Sequence, residues 1–393
     1  MTSPSLPIGA GPGRLSYARA RLYLGISGVG TAVLAALCLL AFDIPQAGFS
    51  SSTQQSLGRS LFSLGIFFAM VAALFFLFDL MGGAWVVRRK GHAQYWLFRW
   101  LRGAATQWLV WMLSAAALMV AARSGGAGTT VAVFVAMQLL LALLRGSMAR
   151  VVASFATHPP SATFVQAAEQ AGLRVEQLRV VDSPDEGFVG GWSSLWPRTL
   201  LVPLRWSTLP VHALSAQLAR RKAVADSGAH LRGVLGALLW NTTGFVVVQQ
   251  LTGTTPATAA GVVTLMAGMT LWAFAGVLLL PTPSRAAVYA ADDAVRRTQG
   301  DAALRTSIEL LDKWQDDEPT RTPNVERIFH PVPARSNRLA RLSQDAGAGL
   351  RPWHAHNLAR QALWMSWGAF TPISRAVHCN VGRTALWVML PGD

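Results

Sequence analysis

The residues of this chain that could perform chemistry are few, and most lie in its second half. A basic cluster, Arg220-Arg221-Lys222, and an acidic pair, Asp292-Asp293, are separated by two long apolar stretches. Near the C-terminus, His354-Ala355-His356 and His378-Cys379 could supply imidazole and thiolate ligands to a metal, although their spacing matches no standard zinc pattern. The sequence contains no nucleophile elbow, no Walker loop and no GxGxxG motif.

Composition and charge indicate a membrane protein. Apolar residues make up 52% of the 393 residues and charged residues only 13%, about half the share usual in soluble domains. The net charge of +15 comes from 34 Lys and Arg against 19 Asp and Glu. These cations flank apolar stretches instead of gathering on one solvated segment, so they favour membrane topology over nucleic-acid binding. We expect the lipid bilayer as a partner, and no nucleic acid.

Six apolar stretches are long enough to cross a bilayer. They are Leu22–Phe42, Leu61–Val87, Ala104–Ala122, Gly125–Leu144, Gly233–Leu251 and Ala259–Leu280. The positions of the basic residues predict a multi-pass protein of the inner (plasma) membrane with both termini in the cytoplasm. Within the stretches, Asp79 is either a carboxylate hydrogen-bonded to a neighbour or a functional intramembrane acid. Asn241 needs a hydrogen-bond partner inside the bundle.

Residues 151–230 are less apolar and predict a small soluble fold. The segments read as a helix at Ser161–Gly172, strands at Val175–Val181 and Thr199–Val202, and a helix at Pro210–Ala225. Between the strands, Gly187–Gly191 is a glycine-rich strand or turn. An open strand edge there could bind an extended polypeptide through main-chain hydrogen bonds, whereas a glycine turn could not.

Four segments of residues 160–345, taken in order, resemble the HtpX-type membrane zinc metallopeptidases and the CAAX-prenyl endopeptidases. Gly187-Phe188-Val189-Gly190-Gly191 resembles the family's NAFAxG edge strand, and Ala216–Arg220 lies where HELxH should be. Val288–Asp292 lies where the E(F/Y)xAD segment should be. His330-Pro331 with Arg338–Leu342 resembles the family's HP…RI..L tail.

The zinc chemistry that this resemblance implies lacks its residues. HExxH binds zinc through two histidines one helical turn apart and uses the glutamate as a base. Here the first histidine, the base and the second histidine correspond to Ala216, Gln217 and Arg220, and the third ligand corresponds to Val288. We hypothesise that Arg220 or Arg221 forms an ion pair with the retained acids at Asp292-Asp293, where the metal would be.

The resulting prediction is a mainly α polytopic membrane protein of about six spans with a small α+β cytoplasmic metallopeptidase-like domain. Residues 1–13 are expected to be disordered, 14–150 to form four membrane helices, 151–345 to form the metallopeptidase-like region with a membrane hairpin at 233–280, and 346–393 to form a packed or interfacial Trp-rich tail.

The predicted function is that of an inactive homologue, a pseudopeptidase, which binds or regulates another membrane protein or a peptide segment and uses no cofactor. The alternative is an active zinc metalloendopeptidase with non-standard ligands. The candidate binding residues are Gly187, Phe188, Val189, Gly190, Gly191, Arg220, Asp292 and His330.

Overall fold

The fold is described from a computed structural model of the chain. The described residues are 17–85, 92–153, 156–183, 188–193, 198–281, 284–315, 321–324, 326, 332–344, 353 and 355–388. The predicted disorder of residues 1–13 lies outside them.

Five helices are long and apolar enough to cross a membrane within the described residues. They are α1 (Tyr17–Ala41), α3 (Leu57–Leu80, extended by a π turn at Met81–Trp85), α4 (His92–Ala153), α7 (Ala229–Thr252) and α8 (Ala259–Leu279). A short helix, α2 (Ile44–Gly48), joins the first two. Side-chain caps begin two of the membrane helices, because Ser56 accepts from the Arg59 amide and Thr258 accepts from the Gly261 amide.

Helix α4 folds back on itself and so contributes two of the six predicted spans. Its 62 residues would extend roughly 90 Å as a straight helix, about three times the hydrocarbon thickness of a bilayer. Gly126 breaks the helix with φ 70° and ψ −162°, a conformation essentially restricted to glycine. The Arg102 guanidinium then reaches the Val151 carbonyl oxygen at 3.2 Å. The predicted turn between Ala122 and Gly125 therefore lies beside the break.

The soluble part contains a four-stranded sheet in the order β1-β2-β4-β3. The strands are β1 (Ala156–His158), β2 (Leu178–Asp182), β3 (Gly191–Trp192) and β4 (Leu200–Pro203). Strands β2 and β4 are parallel, and both outer pairs are antiparallel. The predicted strand at 175–181 begins later than expected, because Val175–Gln177 forms a 3-10 turn.

Helices cover this sheet and enclose a common apolar core. They are α5 (Ala162–Gln170), α6 (Val211–Asp226), α9 (Arg285–Gln299), α10 (Asp301–Gln315) and α11 (Arg335–Leu342). Phe164, Leu178, Trp206, Leu214 and Leu304 are buried together in this core. The two membrane helices α7 and α8 lie between α6 and α9 in the chain, so the predicted helix, hairpin and helix are present in that order.

The C-terminal segment packs inside the bundle. It contains α12 (Ala355–Met365), a 3-10 turn (Ser366–Ala369), α13 (Ile373–Ala376) and α14 (Thr384–Val388). Of the two alternatives for this tail, packed or interfacial, the structure shows the packed one, since no residue from 357 to 388 is exposed. Asp79 and Asn241 both find hydrogen-bond partners within the bundle.

Candidate functional site

The candidate site lies where α6 packs against α9. Helix α6 is buried along most of its length because α5, α7, α9 and α10 all contact it. Ala216, Gln217 and Arg220 are all buried on α6, and Val288 is buried on α9. The four positions at which the resemblance expects zinc chemistry therefore belong to two packed helices in the interior of the protein.

A buried cluster of three charged side chains joins this helix pair to α11. Arg220 Nε donates to Asp292 Oδ1 at 2.9 Å. Arg338 donates from Nε to Asp292 Oδ2 at 2.8 Å and from Nη2 to Oδ1 at 2.7 Å, which is a bidentate arrangement. The expected contact between Arg220 and Asp292 is therefore present. We call Arg220, Asp292 and Arg338 the charge triad.

The two guanidinium groups keep the Asp292 carboxyl ionised. Burial by itself would raise the pKa of Asp292, but Arg338 and then Arg220 outweigh it and hold the pKa below its usual value. All three side chains are nearly inaccessible to solvent, with exposures of 3% for Arg220, 4% for Asp292 and 9% for Arg338. The site is thus a fixed ion cluster with a formal charge of +1.

Sequence reasoning did not assign Arg338 to the site. Arg338 could have been assigned from the sequence, because it lies in the tail segment that resembles HP…RI..L. His330, from the same segment and among the candidate binding residues, lies outside the described residues.

A second acidic residue of α9 makes looser contacts. Asp293 lies 3.6 Å from Arg296 Nη1 and 3.9 Å from Arg341 Nη2, distances beyond a normal hydrogen bond. Of the two acids in the predicted pair, only Asp292 makes short hydrogen bonds to an arginine within the part of the chain that the structure describes.

The glycine-rich segment forms a covered edge of the sheet. Residues 188–193 are buried, and β3 pairs with β4 on one side. Gly190 adopts φ +71°, and a Cβ there would overlap the Leu201 carbonyl oxygen. Glycine is therefore needed at position 190 for the close approach of two backbone segments. Gly187, also a candidate binding residue, lies outside the described residues.

Arginine side chains donate hydrogen bonds to the backbone carbonyl oxygens of this segment. Each donates a hydrogen bond to one carbonyl oxygen: Arg205 to Phe188, Arg221 to Val189 at 2.6 Å, and Arg145 to Trp192 at 3.2 Å. Of the two alternatives for this segment, an open strand edge and a glycine turn, the open edge is not seen in the described residues 188–191. An added peptide strand would first have to displace these guanidinium groups.

The residues at the helix pair do not fit a zinc ion. Alanine and valine offer no donor atom at Ala216 and Val288, and Gln217 is not a base. The two guanidinium groups of the charge triad would repel a divalent cation in so dry a site. Among the described residues, no group of three or more His, Cys, Asp or Glu side chains could hold a metal ion. His354 lies outside the described residues.

The fold itself is that of a polytopic helical membrane protein with a small sheet. It is similar to the crystal structure of S. mikatae Ste24p, with a TM-score of 0.64 and 12% sequence identity over 83% of this chain and 87% of that chain. No family model and no curated protein matches the sequence. At this identity the similarity establishes a Ste24-like fold, and the chemistry of the site has to be argued from the residues.

Proposed function

We propose that this chain is a catalytically inactive membrane metallopeptidase homologue that binds or regulates another membrane protein or a peptide segment of one. Ste24p is a CAAX prenyl protease and a zinc metalloprotease. This chain shares its fold, while its own residues at the packed α6 and α9 helices offer no zinc ligand set.

The charge triad is the observation that carries the proposal. Arg220 donates to Asp292, and by the resemblance it corresponds to the second histidine of HExxH, so a fixed cation would lie where that family has a ligand. Arg338 binds the same carboxylate from a third helix. A buried ion cluster with short hydrogen bonds is specific in geometry, and it stabilises one arrangement of the three helices. The helix pair thus keeps a structural role without the metal.

Metal analysis and a cleavage assay test this proposal. Purified protein is expected to contain far less than one equivalent of zinc and to cleave no peptide in a fluorogenic library. A variant carrying Ala216→His, Gln217→Glu, Arg220→His and Val288→Glu is expected to bind about one equivalent, because it restores three ligands and the base. Chelator-sensitive cleavage by the unaltered chain, together with stoichiometric zinc, would establish the active alternative instead.

The restored variant also has a matched control. Changing Val288→Glu alone adds a single carboxylate and should bind no zinc tightly, because two histidine ligands are still missing. If the fourfold variant folds and still binds no zinc, the two helices do not have the geometry of a metallopeptidase site. That result would remove the support for a metallopeptidase origin of the helix pair.

The proposed location is the inner (plasma) membrane, with both termini in the cytoplasm. The support is the distribution of basic residues, which follows the positive-inside rule. Reporter fusions at each terminus test the orientation: a reporter that is active only in the cytoplasm should be active at both ends. Activity at one end alone would contradict the even number of spans.

A further inference from the structure

The C-terminal segment 355–388 fills the space between the membrane helices. Its elements α12, α13 and α14 and the intervening 3-10 turn together contact all five membrane helices, α1, α3, α4, α7 and α8. Trp364, Trp367 and Trp387 are fully buried. None of residues 357–388 is exposed and most are fully buried, so the segment packs within the bundle.

An intramembrane ion pair anchors the segment. The Arg375 guanidinium contacts Asp79 Oδ2 of α3, donating from Nη2 and, at 3.2 Å, from Nε. Its Nη1 donates to Gln107 Oε1 of α4 at 3.1 Å. Asp79 Oδ1 also accepts from the Gly382 amide at 2.9 Å, so one carboxylate binds both a side chain and the backbone of the segment. Because ions inside a bilayer are costly unless paired, this contact holds the two elements together strongly.

Polar side chains of two other spans bind the backbone of the same segment. Gln138 donates from Nε2 to the Met365 carbonyl oxygen at 2.8 Å. Asn241 donates to the Ala362 carbonyl oxygen at 3.0 Å and to Gln138 Oε1 at the same distance. Four polar side chains of the membrane helices therefore all bind the C-terminal segment: Asp79, Gln107, Gln138 and Asn241.

We propose that residues 355–388 form an internal plug that closes the interior of the bundle, and that Asp79 and Arg375 are its latch. The plug and its latch are independent of whether the chain binds zinc. With the plug seated, a peptide cannot enter between the helices, so any protein partner must bind on the outer surface. A partner peptide could reach the interior only after the latch has opened and the plug has moved.

A designed disulfide tests whether the plug is seated. A Cβ at Gly28 of α1 would lie 3.5 Å from the Ala376 Cβ, which suits a disulfide. In a full-length chain with Cys38→Ser and Cys379→Ser, the Gly28→Cys and Ala376→Cys pair should cross-link fully under copper-phenanthroline oxidation.

The matched control places the first cysteine at Gly30 instead, on the same helix. A Cβ at Gly30 would have no neighbour within 4 Å, so this pair should stay reduced. Failure of the 28–376 pair to cross-link, or equal cross-linking of the 30–376 pair, would overturn the seated plug.

The latch is tested by thiol labelling in the same cysteine-free background. Ser374 is fully buried in the plug and Ser124 is exposed at the α4 hairpin. Maleimide should label Ser374→Cys at least about a hundredfold more slowly than Ser124→Cys, since labelling requires local opening. Adding Asp79→Asn should speed labelling of Ser374→Cys by about tenfold or more, whereas Asp293→Asn, which changes a buried but loosely paired acid of α9, should leave it unchanged.

Each result decides the question. Rapid labelling of Ser374→Cys in the intact latch would overturn the plug. A labelling rate that Asp79→Asn does not change, or that Asp293→Asn raises equally, would overturn the latch. The 28–376 disulfide in the Asp79→Asn background should return the labelling rate to that of the intact latch, which separates plug release from general unfolding. If Asp79→Asn does not fold, Arg375→Lys replaces it, because it keeps the charge but loses the bond to Gln107 and should give an intermediate rate.

Discussion

The charge triad makes its strongest prediction for Asp292→Asn. Three charge-assisted hydrogen bonds of 2.7 to 2.9 Å end on this carboxylate. At an effective dielectric constant near 20, each of the two arginine–carboxylate ion pairs represents roughly 4 kcal/mol of gross attraction, most of it offset by desolvation. Asparagine keeps one acceptor but turns an amide donor towards an arginine, and it removes the negative charge that Asp292 presents to Arg220 and Arg338. We expect a loss of about 3–5 kcal/mol in the free energy of unfolding.

The adjacent residue supplies a matched control. Asp293→Asn makes the same chemical change one position along α9, where the nearest arginine nitrogen is 3.6 Å away. We expect it to cost about 1 kcal/mol or less, as for loosely paired ions. A threefold apolar variant, Arg220→Met with Asp292→Leu and Arg338→Met, should recover most of the loss, since it removes all three buried charges of the triad together.

Reversible unfolding in mixed micelles, titrated with sodium dodecyl sulfate and followed by tryptophan fluorescence, measures these differences. The protein contains 15 tryptophans, and Trp206 lies in the core next to α6, so the signal reports on this region. Equal losses for Asp292→Asn and Asp293→Asn would refute the role given to the short hydrogen bonds. A threefold variant as unstable as Asp292→Asn would show that the cost does not come from unpaired cations.

Three further outcomes follow from the same structure. Folding lowers the pKa of Asp292, so the stabilisation from its ionised carboxylate is complete above the unfolded pKa of about 3.9 and is lost as the pH falls through the folded pKa. The difference in unfolding free energy between wild type and Asp292→Asn should therefore be constant at neutral pH and shrink in acid. A difference that widened in acid would contradict this sign. Gly126→Ala should cost about 1–3 kcal/mol through backbone strain alone, because a Cβ there meets no neighbour, while Gly128→Ala, equally open, should be neutral in the same titration. Gly190→Ala combines a positive φ with overlap on the Leu201 carbonyl and should lower the free energy of unfolding by at least about 2 kcal/mol. A loss no larger than that of Gly128→Ala would contradict the close approach of the Gly190 backbone to the Leu201 carbonyl.

Local sequence patterns were enough to predict the membrane helices and most of the soluble elements. Apolar runs of bilayer length predicted all six spans, because the hydrophobic thickness sets the length of a spanning helix. The bounds of α6 and α8 agree within one residue with the predicted helix at Pro210–Ala225 and the predicted span at Ala259–Leu280. The pairing of Arg220 with Asp292 could also be predicted, since both lie at fixed offsets on helices that the resemblance places together.

The covered edge at Gly190 and Gly191 could not be predicted in the same way. A glycine-rich segment is compatible with an open strand or with a close backbone approach, and its own residues do not distinguish the two. Distant side chains distinguish the open strand from the close approach, because Arg145, Arg205 and Arg221 reach the segment's carbonyl oxygens from elsewhere in the chain. Such contacts depend on tertiary packing and have no local sequence signal.

The sequence by itself thus predicted the membrane helices and the order of helix, hairpin and helix, and it placed Ala216, Arg220 and Val288 where the resemblance expects zinc ligands. Only the tertiary structure decided how the remaining charges are used. Arg338 joins Asp292 across 46 positions, and Arg375 joins Asp79 across 296. The physical reason is that a buried charge must find an opposite charge wherever the fold brings one, whereas hydrophobic length and helical spacing are properties of neighbouring residues.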